Sequence, residues 1–179
     1  ELDAEEKTPV KANGTRDIIV DSRFLYGAPG AGLTVQAQAR IEPDPKPFEA
    51  FDGFTYGRHD DYFAEQILEL DPQTTDGAGK AVIRLAPGNR GSNGDRPLRL
   101  NTMISVLEPG GRAVNESVRI PYRPRDLYLG IKSDFDSYAD RDKPVGFELA
   151  AINADGEAVD RKLNWKVIEI DYHYDWYRE

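Results

Sequence analysis

Residues 23–32 read Arg-Phe-Leu-Tyr-Gly-Ala-Pro-Gly-Ala-Gly and join two runs with strand character, at 17–20 and 33–41. Gly27, Gly30 and Gly32 tolerate backbone angles that a side chain forbids, and Pro29 fixes its own φ and offers no N–H to a sheet. Neither a helix nor a central strand can continue through such a stretch. It therefore predicts a corner between two strands, which we call the elbow.

The run after the elbow alternates in the way a two-faced sheet requires. Val35, Ala37, Ala39 and Ile41 share one face, and polar side chains occupy the other. Similar runs recur between clusters of Gly, Asn, Asp and Pro, at 18–20, 34–41, 66–70, 81–85, 98–107, 117–122, 127–132, 145–153 and 163–172. This spacing predicts an all-β antiparallel β-sandwich with no helix of ordinary length. The apolar run 81–85 is expected to be buried on both faces.

The composition narrows the class of protein. With 39 % hydrophobic and 31 % charged residues, the chain is typical of a soluble globular protein. A net charge of −9 opposes binding to a nucleic-acid backbone, which needs clustered Lys and Arg. No apolar run approaches the roughly 18 residues that cross a bilayer, so we expect no direct membrane insertion by this segment. The absence of cysteine excludes disulfides, thiol nucleophiles and thiolate metal sites.

Polar composition and paired prolines divide the chain. Residues 1–16 are polar and predict a linker or frayed arm. Pro121 and Pro124 bracket a polar step before a new apolar run, which places a boundary near Arg125. Residues 17–125 then form one complete sandwich. Residues 126–179 are about half of the roughly 100 residues that two packed sheets usually take, so we expect the second sandwich to be incomplete.

The order of these motifs resembles that of the bacterial alpha-2-macroglobulins, large proteins that trap proteases. The elbow and the strand after it are similar to the start of a macroglobulin domain. The resemblance continues through the segments 53–57, 76–81, 108–114, 127–132, 147–156 and 163–167. It covers almost the whole chain beyond Arg16 and implies two consecutive macroglobulin-like domains just before the bait region, the second incomplete, with a fibronectin-III-like sandwich fold.

The resemblance also implies a function. In this family such domains form a non-catalytic scaffold, and a later bait segment is cut by the target protease, which releases a change that traps the enzyme. The partners would be the neighbouring domains of the same parent chain and the target proteases. The family implies a periplasmic parent, anchored to the inner membrane by an N-terminal lipid. The thioester of many members needs a cysteine that this chain lacks, so we expect it to be a fragment of the parent.

The candidate chemical groups do not match the spacing of a known catalytic site. His59 precedes two aspartates, and His173 lies between two tyrosines. Two histidines without any cysteine supply too few ligands for a typical zinc site. The serines lack a Gly-x-Ser-x-Gly elbow. We therefore predict no catalysis and no cofactor. Asp134, Asp136 and Asp140 are weak candidates for calcium, because hard oxygen ligands favour that ion, but a solvated acidic loop is the favoured interpretation.

Aromatic residues near residue 170 are the candidate interface. The group consists of Trp165, Tyr172, Tyr174 and Trp176, of which the last three share one strand face. They could contact neighbouring strands and domains, and alternation favours this hypothesis. The alternative is a carbohydrate-binding or adhesion module that stacks sugars on these rings, with calcium from the Asp134 loop as a possible helper.

Overall fold

A computed structural model describes residues 2–3, 8–58, 60–91, 94–140 and 142–170 of the chain. The described part is built almost wholly of β-strands, and its only helical turn is a 3-10 turn at Glu49–Phe51. The strands are β1 Leu2–Asp3, β2 Val10–Lys11, β3 Arg16–Asp21, β4 Thr34–Pro43, β5 Thr55–Tyr56, β6 Gln66–Thr74, β7 Lys80–Leu85, β8 Leu98–Leu107, β9 Ala113–Arg123, β10 Leu127–Ser133 and β11 Phe147–Asn153. None of the described residues belongs to a helix long and apolar enough to cross a membrane.

Two sheets form the first sandwich. One has the strand order β1-β3-β7, and the other has the order β2-β9-β8-β4-β6. Apart from the parallel pair of β2 and β9, all their neighbouring strands are antiparallel. Alternate side chains of both sheets meet in one buried cluster, which includes Ile18, Ile41, Ile83, Leu100 and Ile120. The predicted antiparallel β-sandwich is therefore confirmed.

One face of strand β7 is exposed to solvent. Ala81, Ile83 and Leu85 are buried, but Val82 is 48 % exposed and Arg84 is exposed. The expectation that 81–85 is buried on both faces is wrong, because β7 lies in an outer sheet whose second face has no layer over it.

The elbow carries the chain from one sheet to the other and is held by one buried side chain. The Thr75 hydroxyl accepts a hydrogen bond from the Leu33 N–H at 2.8 Å and donates one to the Gly30 carbonyl at 2.7 Å. Gly27 and Gly32 have the positive φ angles that were expected of them. Gly30 is needed for a different reason: a Cβ there would come within 2.6 Å of the Ser22 hydroxyl oxygen.

Part of the arm predicted at residues 1–16 is built into the first sandwich. Strand β2 pairs in parallel with the end of β9, and Val10 is only 2 % exposed within the main core. Strand β1 pairs with β3 through its backbone. The sequence signal for β2 is weak, because Val10 is a single apolar residue among polar neighbours. In the structure, the edge of β9 pairs with the backbone of β2, and the main core buries the Val10 side chain.

A second, smaller sheet follows, with the order β11-β10-β5. Its edge strand β5 comes from the aromatic stretch between β4 and β6, so the chain before Arg125 supplies part of this sheet. The strand predicted at 163–172 is wrong over its described part, because residues 160–170 form no ladder. The Val159 N–H instead donates to the Ala151 carbonyl, and the chain then leaves the edge of β11.

Candidate functional site at the domain junction

Arg123 is the charged centre of the region where the first sandwich meets the second sheet. It is the last residue of β9 and is 2 % exposed. Its guanidinium donates to the carbonyls of Leu98 and Tyr122, which belong to the first sandwich. It also donates to the Asp44 carboxylate at 2.8 Å and to the Pro47 carbonyl at 2.7 Å. One buried cation therefore ties the end of two strands to the connector that follows β4.

The connector 43–47 presents its acceptors to Arg123 because three prolines hold it extended. Pro43, Pro45 and Pro47 fix φ and donate no hydrogen bonds, so this stretch cannot fold back into a ladder of its own. It delivers Phe48 to the same place, where the Arg123 guanidinium carbon lies 5.0 Å from the ring centroid. A desolvated cation over an aromatic face contributes about 2 kcal/mol. Arg123 and Phe48 thus stabilise each other at the junction.

Aromatic side chains form a second core beside Arg123. Phe48, Tyr56, Tyr128 and Ile152 are buried together, with Phe48 5.5 Å from Tyr56 and 5.8 Å from Tyr128 between ring centroids. Two of these residues come from the stretch after β4, and the other two come from β10 and β11. The cluster can exist only when both parts of the chain are in place.

Burial raises the pKa values of the tyrosines in this region. Desolvation raises the pKa of Tyr122 to about 12, with a smaller contribution from Tyr128. Desolvation also raises the pKa values of Tyr56 and Tyr128. The Tyr122 hydroxyl donates to the Gly88 carbonyl at 2.8 Å, and the Tyr128 hydroxyl accepts from the Arg125 N–H at 3.1 Å. These hydroxyls are neutral structural groups at physiological pH.

Polar contacts at the surface reinforce the junction. The Lys11 ammonium meets the Asp155 carboxylate at 2.9 Å, which links β2 to the turn after β11. Arg125 donates to the Gly94 carbonyl at 2.8 Å and approaches the Asp95 carboxylate at 3.2 Å. Exposed pairs of this kind each contribute only about 0.2–1 kcal/mol. The buried Arg123 and the aromatic cluster therefore dominate the junction.

The second sheet has one covered face and one bare face. The bare face, called here the β10–β11 face, consists of Leu127, Leu129, Ile131, Phe147 and Leu149, all of which are exposed. A cavity of about 540 Å³ lies over Ile131, Phe147 and Leu149, and Trp165, Lys166 and Val167 line its far side. Trp165, one of the expected interface residues, is 75 % exposed there.

The other expected site residues do not converge in the described part of the chain. The carboxylate of Asp134 accepts from the Gly146 N–H at 2.7 Å, and that of Asp140 pairs with the Lys143 ammonium. Asp136 is exposed. No three His, Asp or Glu side chains gather into a metal-binding group among the residues that the structure describes. His59, Tyr172, His173, Tyr174 and Trp176 lie outside the described residues.

Sequence reasoning missed Arg123. It treated the step between Pro121 and Asp126 as a polar linker, and an arginine in a polar linker is ordinarily solvated. The proline-rich connector 43–47 could have pointed to Arg123. The carbonyl groups of an extended segment that forms no ladder need hydrogen-bond donors from elsewhere when they are buried. The connector's location beside the end of β9 follows only from the sheet register.

Comparison with known proteins assigns both halves of this arrangement. Residues 1–124 match the family described as "Bacterial Alpha-2-macroglobulin MG5 domain", and residues 130–179 match "Bacterial macroglobulin domain 6". The chain belongs to the bacterial alpha-2-macroglobulin family. The junction thus lies between two consecutive macroglobulin domains, as the resemblance in the sequence implied.

Curated relatives and solved structures both agree with this assignment. The alpha-2-macroglobulin of Escherichia coli is 30 % identical over 135 residues, which are 74 % of this chain and 8 % of the relative. The structure of Salmonella alpha-2-macroglobulin reacted with methylamine has a TM-score of 0.68 at 27 % identity, and covers 88 % of this chain and 11 % of that one. The structure of Escherichia coli alpha-2-macroglobulin activated by porcine elastase has a TM-score of 0.70 at 27 % identity, with 87 % and 14 % covered. The chain spans a tenth or less of the length of the curated relatives it matches.

Proposed function

We propose that this chain is a non-catalytic scaffold segment of a bacterial alpha-2-macroglobulin-type inhibitor with broad protease specificity. The observation that supports it is the aromatic cluster shared by segments that match two consecutive domains of that family, with the buried Arg123 beside it. The parent's bait region would be cut by the protease, and the scaffold would then rearrange around it. The segment itself supplies no catalytic group and needs no cofactor.

Stiffness at the junction is the mechanical contribution of this segment. A trap must convert one cut in a bait into the movement of whole domains, and a loose joint between domains would absorb that movement. Arg123 makes four hydrogen bonds and a ring contact, nearly all of them out of water, that fix the connector and Phe48 against the end of the first sandwich, and Phe48 in turn packs on Tyr128 of the second sheet. Removing one partner of such a buried pair costs about 3–5 kcal/mol. Because Arg123 holds Phe48 in the aromatic cluster that both domains share, the two domains would move as one body.

Cellular location and partners follow from the same proposal. The parent would work in the periplasm, anchored to the inner membrane by an N-terminal lipid, where it meets foreign proteases. Its neighbours would be the other domains of the same chain, and the proteases would be contacted through the bait region rather than through this segment.

The experiment compares the wild-type parent protein with two variants, Arg123→Met and Arg119→Met. Arg119 is an exposed arginine on the same strand as Arg123. We expect Arg123→Met to leave the rate of bait cleavage by trypsin unchanged but to lower the fraction of protease trapped. Arg119→Met should trap like the wild type. The isolated chain should neither inhibit proteases nor be cut at one specific site, and potent inhibition by that piece alone would contradict the proposal.

A sugar-binding module is the second candidate, supported by the wide exposure of Trp165 beside an apolar cavity. It would use the C-terminal rings as a stacking platform. A sugar array measured with and without a chelator tests it: binding at millimolar concentration or tighter that is lost in Trp176→Ala would favour this function over the scaffold.

A further inference from the structure

Strand β9 has a long free edge. Its last two residues pair with β2, but along 113–121 its only neighbouring strand in the described part of the chain is β8. In an antiparallel pair every second residue directs its N–H and C=O away from the partner strand, so this edge presents unpaired backbone groups. The start of the strand, 113–117, is exposed at every residue. We call this segment the β9 edge.

The β9 edge lacks the features that protect the opposite edge of the same sheet. Strand β6 lies at that opposite edge and contains Pro72, which has no N–H, and its register with β4 shifts between Val35 and Ala37. The register of β8 with β9 has no shift, and 113–117 contains no proline, glycine or lysine. An edge that is long, regular and unprotected can accept an additional strand.

A groove lies beside the β9 edge, between the two layers of the first sandwich. Its volume is about 220 Å³, and its apolar lining includes Leu33, Ile104, Val106 and Val114. Val106 and Val114 are paired directly across β8 and β9, and Val114 is 47 % exposed. The groove is smaller than the clefts of about 300–1,000 Å³ that hold drug-sized ligands. It has room for one long side chain.

The charged residues that line the groove are mostly acidic. They include the carboxylates of Asp21, Glu108 and Glu116. Arg23 also lines the groove, but it already pairs with Asp21. The Glu108 carboxylate forms no hydrogen bond or ion pair within the part of the chain that the structure describes. An apolar groove with acidic groups at its mouth fits lysine or arginine, because the methylene stem is buried while the charged end meets the carboxylates.

We propose that the β9 edge and its groove bind an extended segment of another protein, which adds as a strand beside 113–117 and places a lysine or arginine side chain in the groove. Side chains of a strand alternate between its two faces, so every second side chain of the added strand would lie on the side of Val114 and Glu116. Backbone hydrogen bonds would supply affinity, and the groove would supply the preference for a cation. A second copy of this chain is a poor occupant, because two paired β9 edges would bring their acidic grooves together.

Titration of the isotope-labelled chain with synthetic peptides, followed by NMR, tests this proposal. The probe is a blocked seven-residue peptide of alternating threonine and valine in which lysine replaces the central valine. We expect saturable binding in about the millimolar range or tighter, with amide shifts confined to 104–108 and 113–117. The same peptide with glutamate in place of the lysine should bind at least about tenfold more weakly, because like charges then meet at the groove.

Two variants locate the source of this preference. Glu108→Gln should reduce the preference for the lysine peptide over the glutamate peptide several-fold, because it removes the carboxylate that has no other described partner. Glu69→Gln is the matched control, since it removes the same charge from an exposed residue of β6 at the opposite edge of the sheet. It should keep the full preference, and an equal reduction in both variants would assign the preference to the net charge of the chain.

A third peptide tests the backbone pairing. The lysine peptide is N-methylated on alternate residues, in each of the two possible sets, and one of the two forms should lose binding because its donors no longer reach the β9 edge. The proposal is overturned if the lysine and glutamate peptides bind equally, if both methylated forms bind as well as the parent peptide, or if the amide shifts lie elsewhere. It is equally overturned if the chain dimerises through β9, which would make a second copy the occupant.

Discussion

Thr75 shows how one hydroxyl can fix a corner that several glycines only permit. It accepts from the Leu33 N–H and donates to the Gly30 carbonyl, and all three groups are out of water. Thr75→Val keeps the shape but leaves the donor and the acceptor unpaired, so the free energy of unfolding should fall by about 1–3 kcal/mol. Urea unfolding measures this loss. Thr74→Val, at the exposed neighbouring position, should change little, and an equal loss in both variants would assign the effect to β6 rather than to the elbow.

The pairing of β3 with β7 includes one ion pair that responds to acid. Arg84 donates to both carboxylate oxygens of Asp17, at 2.7 and 2.8 Å, and this hydrogen bonding lowers the pKa of Asp17. Because the folded-state pKa is the lower one, the stabilisation is present above the ordinary value near pH 4 and is lost as the pH falls below it.

Unfolding by urea should therefore show Asp17→Asn to be slightly less stable than the wild type at pH 7. The two chains should converge near pH 2, where the carboxylate of the wild type is protonated as well. The difference is small because the pair is exposed to solvent. Asp71→Asn, an exposed aspartate of β6, is the control. A difference between Asp17→Asn and the wild type that persisted unchanged in acid would exclude the ion pair as its cause.

Strands with alternating side chains were predictable from the sequence, and the junction was not. The run at 98–107 matches β8 residue for residue, because strict alternation and flanking turn residues are both local signals. The aromatic stretch after β4 supplies β5 and half of the second core. Nothing within that stretch indicates which distant strand it joins. Apolar and polar residues alternate at 163–170 as they do in many strands. A strand also needs a partner edge, however, and the chain leaves β11 before that segment begins.

The two parts of the molecule depend on each other through close contact at Gly130. A Cβ on this residue would come within 2.9 Å of the Tyr56 ring and 3.0 Å of the Phe54 ring. A side chain at this position would force the two rings or β5 to shift away from β10. Because both parts of the chain contribute to the aromatic cluster, we expect the cluster and the second sheet to form together. We therefore expect the wild-type chain to unfold in one transition, with β8 and β10 losing protection from amide exchange at the same urea concentration.

Gly130→Ala should break this coupling. Forcing an extra methyl group between the rings and β10 should cost about 1–3 kcal/mol, and the loss should fall on β10 and β11 before it reaches the first sandwich. Amide exchange at increasing urea would then show β10 opening while β8 stays protected. Gly77→Ala is the control, because a Cβ there would meet no atom within 4 Å. If β8 and β10 opened together in Gly130→Ala, the close contact at Gly130 would not be what couples the two domains.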